Sequence, residues 1–111
     1  MRPVVVGGKL VTVSLVEAED DPELESRDAY FDNHSVKIVI DNDLSQEARW
    51  HVFTHEVCHA GNWHLQVEFN LTRLGLTSEQ AVAVEEYMAE CFATHVDTLE
   101  RNGWIKRPII K

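Results

Sequence analysis

The chain has 111 residues, 44% of them apolar and 26% charged, with 19 acids against 10 bases and a formal net charge of -9. These totals fit one domain spanning 1–111 with one core, and they argue against a partner built of nucleic-acid phosphates. No apolar run approaches the roughly 18 residues that a membrane span requires, so no membrane partner is expected.

Met1-Arg2-Pro3-Val4 leads straight into a strand-like alternation and lacks the apolar core of a secretory leader, which makes a cytoplasmic location the expectation. Val4-Val5-Val6, Gly7-Gly8 and the alternating run Lys9 to Val16 read as a β-hairpin, with Val11, Val13 and Leu15 on its buried face. Glu17 to Asp28 carries seven acids and Pro22 with almost no bulky apolar side chain, so it reads as a loop. Strand-like runs around Tyr30-Phe31 and Val36 to Ile40, separated by Asp32-Asn33-His34-Ser35, form a second hairpin, with His34 solvated in its turn.

From Leu44 to Ala60 apolar residues recur at helical spacing, after Asp43 and Gln46 as a capping pair and before Gly61 as a stop. This helix contains His55-Glu56-Val57-Cys58-His59. Histidines four apart on a helix share one face and grip one metal ion between them. Glu56, about 100° round the helix, lies beside such an ion without ligating it and serves as a base towards water. His51 is four residues before His55 and reads as packing or as support for a ligand. Trp63 and His64 are near enough in sequence to line a cleft, although covering the core is their plainer role.

Residues 65 to 74 fit a short helix or a loop. Thr77-Ser78-Glu79-Gln80 is a capping box, and no Gly or Pro follows until Asn102-Gly103, so a long helix runs to Arg101. Its apolar stripe is Val82, Met88, Ala89, Phe92, Ala93, Val96 and Leu99, expected to pack on the His55–His59 helix. Cys58 and Cys91 lack C-x-x-C spacing and read as reduced interior thiols. The last bases, Arg101, Lys106, Arg107 and Lys111, read as a solvated tail.

A zinc site of this kind takes a third ligand, commonly a carboxylate from a second helix, and Glu85, Glu86 and Glu90 are within reach. Helical periodicity leans to Glu85, which projects near the centre of the apolar stripe. Glu86-Tyr87-Met88-Ala89-Glu90-Cys91-Phe92-Ala93 resembles the E-x-x-A-N-x-F-A helix that follows H-E-x-x-H in ImmA/IrrE-type metallopeptidases and related small gluzincins of phage and bacteria. That resemblance implies a minimal zincin-like α+β fold: an amino-terminal antiparallel β-meander of hairpins packed on an H-E-x-x-H helix and a long returning helix. It implies Zn²⁺ held by His55, His59 and Glu86, with Glu56 as the catalytic base of a hydrolase that cleaves a peptide or protein substrate. Glu90 stands where that pattern has asparagine, and Glu85 directly precedes Glu86, so the third ligand stays open between Glu85 and Glu86 at this level. The rival expectation is a zinc-binding regulatory or interaction module with little or no proteolysis.

Overall fold

The structure, a computed structural model, describes residues 3–111, so the reading of Met1 and Arg2 lies outside the described residues. The fold is α+β, with a four-stranded sheet followed by three helices. β1 (Val4–Val6) and β2 (Lys9–Val16) pair antiparallel around Gly7 and Gly8, whose φ values of 57° and 81° are the ones a tight hairpin turn of this hand demands. β3 (Ala29–Asp32) and β4 (Lys37–Asp41) form the second antiparallel hairpin. Its turn is organised by Asp32, whose carboxylate accepts from the His34 and Ser35 amides and from the Ser35 hydroxyl.

The two hairpins join through β2 and β4, which run parallel, giving the order β1-β2-β4-β3 and a mixed sheet rather than a purely antiparallel meander. The inner strand β4 reads Ile38-Val39-Ile40 with every side chain buried, as a strand covered on both faces should. Residues 17–28 must return the chain so that β3 can pair on the far side of β4. They do so as two 3-10 turns, Ala18–Asp20 and Pro22–Glu25, not as an unstructured loop. Leu24 is buried, the Tyr30 hydroxyl bonds Asp21, and the Asp41 amide donates to Asp28 O at 2.9 Å. One apolar anchor and two cross-links are enough to order an acidic segment.

Helix α1 (Gln46–His64) starts two residues later than the Asp43 reading requires: Ser45 is the cap, its hydroxyl accepting from the Ala48 amide. The helix passes through Gly61 and ends where Gln66 takes a left-handed φ of 55° before α2 (Val67–Arg73). α1 lies across the sheet, and Val11, Val13, Ile38, Ile40, Trp50 and Ala60 join in one core. Gly7 touches its far end, since a Cβ there would stand 2.4 Å from the His64 ring.

α3 (Ser78–Arg101) begins at the expected Thr77–Gln80 capping box and packs on α1. Its inward positions are Ala81, Glu85, Ala89 and Ala93. The larger members of the anticipated stripe, Val82, Met88, Phe92 and Leu99, are exposed instead, because the helices meet through alanines spaced four and eight apart. The carboxy-terminal tail is likewise anchored, not solvated throughout. Ile110 is buried in the core, its backbone exchanges two hydrogen bonds with the Gln46 side chain, and Arg49 donates to its carbonyl at 2.8 Å. Ile110→Ala is therefore expected to cost about 2–5 kcal/mol of stability in denaturant unfolding, the range for truncating a buried aliphatic side chain, while Lys111→Ala leaves the midpoint unchanged.

Candidate metal centre

α1 presents His51, His55 and His59 at four-residue intervals, one above the other on the face that meets α3. α3 answers with Glu85, Glu86, Glu90 and Asp97. The alanines at 81, 89 and 93 let the helix backbones approach closely enough for these short carboxylate arms to reach.

The contacts have a regular pattern. The Nδ1 atom of His55 lies 3.0 Å from Glu90, and that of His59 lies 2.7 Å from Glu85. Both Nε2 atoms turn to the same side chain: one oxygen of Glu86 is 2.8 Å from His55 Nε2 and the other 3.1 Å from His59 Nε2. Glu85 is buried and is further held by the Asn62 amide at 3.2 Å, whereas the Glu86 side chain is 59% exposed. Glu85 therefore orients an imidazole from inside, and Glu86 closes the histidine pair on the solvent side.

Each of these four nitrogen–oxygen contacts needs a positive charge or a proton between its partners, but two neutral imidazoles carry only two N–H groups. Two protons on Nδ1 satisfy Glu85 and Glu90 and leave two lone pairs, on the Nε2 atoms, facing a carboxylate. A divalent cation at that position supplies the missing charge and takes nitrogen and oxygen donors together, so the donor set suits a metal ion. His55, Glu56 and His59 also present ligand-type atoms within 4.8 Å of one another, as do His59, Glu85 and Glu86.

Glu56 points differently. It is buried, and among the described residues its carboxylate has no hydrogen-bond partner. Burial raises its carboxyl above the ordinary range, against the pull of His59 and His55. His59 is also displaced: burial works against its imidazolium, but the Glu85 hydrogen bond and the charges of Glu56, Glu85 and Glu86 outweigh it, and the net direction is up.

Two clefts open on this centre, one of about 600 Å³ and one of about 470 Å³. The larger is walled by Phe31, Trp63, Val67 and Phe69, the smaller by Ala29, His51, Val52 and Glu90. Glu56, His59 and Glu86 line both, so the clefts form two arms meeting at the histidine pair. Trp63 and His64 thus face the larger cleft, beyond their plainer role of covering the core. The side chains singled out in the sequence, His55, Glu56, His59 and Glu86, stand together, while His34 is exposed in its turn. Tyr30 is tied to Asp21, its hydroxyl pushed up to about 12 by burial and then by that acid. Arg27, which lines both clefts, is absent from the sequence reading; it sits in an acidic segment where no local pattern singles it out. Among the described residues no helix is long and apolar enough to cross a membrane. No protein-family model, curated protein or solved structure matches the chain.

His51 extends the pattern by one turn, with Nδ1 on Asp97 and Nε2 3.3 Å from Glu90. Burial lowers its imidazolium, but the Asp97 hydrogen bond and the charges of Asp97 and Glu90 prevail, so its pKa is raised. The stabilisation from this pair is full below the ordinary imidazole range and is lost as pH rises through the folded-state value. NMR titration of the imidazoles is expected to show His51 deprotonating at lower pH in Asp97→Asn than in the unmodified chain; an unchanged midpoint would remove Asp97 as the cause.

Proposed function

We propose that the protein is a zinc-dependent metallopeptidase in which His55, His59 and Glu86 hold Zn²⁺ and Glu56 is the general base. The observation that carries this reading is the sharing of one Glu86 carboxylate between both histidine Nε2 atoms while Glu85 and Glu90 occupy the Nδ1 atoms. It favours Glu86 over Glu85 as the third ligand and gives Glu85 the task of fixing the His59 ring. Two imidazoles and one carboxylate are the donor set of hydrolytic zinc centres, and zinc so held acidifies water and polarises a carbonyl oxygen.

The chain's own part of the reaction falls to Glu56. Its carboxylate is withheld from other partners by burial and opens onto both clefts. It takes the proton of the attacking water and delivers it to the amine that leaves, a transfer helped by a carboxyl whose proton affinity burial has raised. The two arms of the groove hold the chain on either side of the bond, so the substrate is a peptide or protein segment, and the reading carries with it a cytoplasmic hydrolase.

A second reading, a zinc-holding interaction module without turnover, draws on the outer face of α3, where Val84, Met88, Phe92 and Leu99 are exposed. Turnover separates the two. About one zinc per chain is expected in protein purified without added metal or a histidine tag, lost in Glu86→Gln and bound about 10–100-fold more weakly in Glu85→Gln, as for groups that orient a metal ligand. Peptide hydrolysis, followed by mass spectrometry on a mixed peptide library, is expected to fall about 10²–10⁴-fold in Glu56→Gln with zinc retained. Stoichiometric zinc with no cleavage would support the module, and absence of zinc uptake at neutral pH would overturn both.

A further inference from the structure

We infer that Arg27 is the anion-binding residue of the groove and receives a carboxylate of the bound peptide next to the bond that is cut. The inference rests on the peptidase reading above. Four residues line both clefts, Arg27, Glu56, His59 and Glu86, so the guanidinium stands at the junction with the base and two members of the metal centre. Among the described residues, Lys9 and Arg27 are the only Lys or Arg side chains that line either cleft, and Lys9 lies over the Trp63 ring, 4.8 Å from its centroid, on the wall of the larger one. The other charged side chains shared by both clefts are the carboxylates Glu56 and Glu86, with Glu68 and Glu85 on the larger cleft and Asp28 and Glu90 on the smaller. An acidic group of a ligand entering there is repelled by these carboxylates; apart from the metal centre itself, Arg27 is the cation at the junction that attracts it.

The guanidinium is available for that task. Among the described residues its one ion-pair partner is Glu23, at 3.4 Å on its own segment, with both side chains more than half exposed. A pair of this kind contributes little and exchanges readily for a ligand carboxylate that the planar fork can take with two parallel hydrogen bonds. The support beneath it is fixed. Arg27 lies over the Tyr30 ring at 5.9 Å, Tyr30 is tied to Asp21, and the next residue, Asp28, is held to β4 through the Asp41 amide. A lone cation in a segment of seven acids is thereby carried to the one place where the groove needs it. The aromatic lining of the adjoining arm, Phe31 and Trp63 at 5.6 Å between ring centroids together with Phe69, suits an apolar side chain on the same ligand.

The carboxylate has two sources, the free carboxy terminus of a peptide or the side chain of Asp or Glu, and paired probes tell them apart. Binding to the zinc-loaded full-length chain is measured by calorimetry for N-acetyl-phenylalanine against its amide, and for N-acetyl-glutamate amide against N-acetyl-glutamine amide. The unmodified chain is expected to prefer the acid in one pair by about tenfold or more, the scale of a charge-assisted bidentate contact; the pair that shows the preference names the source. In Arg27→Gln the preference is expected to vanish, with zinc content and affinity for the neutral probe unchanged, and Arg27→Lys should keep only part of it. An equal preference in Arg27→Gln would assign the carboxylate to the metal centre and overturn the inference, as would the absence of preference in both pairs. An Arg27-dependent preference in a chain that cleaves no peptide would count against the peptidase reading and leave the anion site standing.

Discussion

The helices α1 and α3 are held face to face by a ladder of imidazoles and carboxylates, and most other features serve to make that ladder fit. Three histidines rise along α1 at four-residue steps, and four acids on α3 meet them. A half-buried row of this composition is costly unless its proton and charge accounts balance, because an unpaired charge away from water pays heavily for its desolvation. With Glu85 and Glu90 each meeting an Nδ1 atom, a proton on each Nδ1 would orient both rings and leave the Nε2 atoms beside Glu86 as the place where positive charge is short.

The rest of the architecture follows from bringing the two helices this close. Alanines at 81, 89 and 93 remove the bulk that would hold them apart, so the interface is polar along one side and closely packed along the other. The apolar contribution comes from the opposite side of α1, where Trp50 and Ala60 pack on the sheet with Val11, Val13, Ile38 and Ile40. The acidic 3-10 segment and β3 then close over the centre from the sheet side, adding Arg27 and Phe31 to the walls. A chain of 111 residues so obtains a two-armed groove without a second domain's worth of walls.

What the sequence disclosed and what it hid divide along the line between local and distant physics. The spacing of His55, Glu56 and His59 and the Thr77–Gln80 capping box are properties of single helices, and both were legible. The two hairpins were legible for the same reason, but their parallel union through β2 and β4 depends on where a distant strand pairs, which no window of residues records. The stripe of α3 misled because large apolar residues outweigh alanines in any periodicity argument, whereas here the alanines make the contact and Met88 and Phe92 face outward. Glu85 and Glu86 are neighbouring positions on a helix that a sequence window separates poorly, whereas in space they meet different ring nitrogens: Glu85 meets Nδ1 of His59, and Glu86 meets Nε2 of both histidines. Ile110 and Arg27 stayed hidden because charge-rich surroundings masked one buried and one groove-lining side chain.

The central claim is that carboxylates on α3 hold the Nδ1 atoms of His55 and His59 so that their Nε2 atoms take a metal. Long-range proton–nitrogen NMR of the imidazoles, recorded on the full chain as zinc is added, reads this directly. The account expects both rings to carry their proton on Nδ1 in the zinc-loaded chain, with the zinc-induced nitrogen shift at Nε2 of each. A shift at Nδ1, or spectra of His55 and His59 that do not change with zinc, would contradict it.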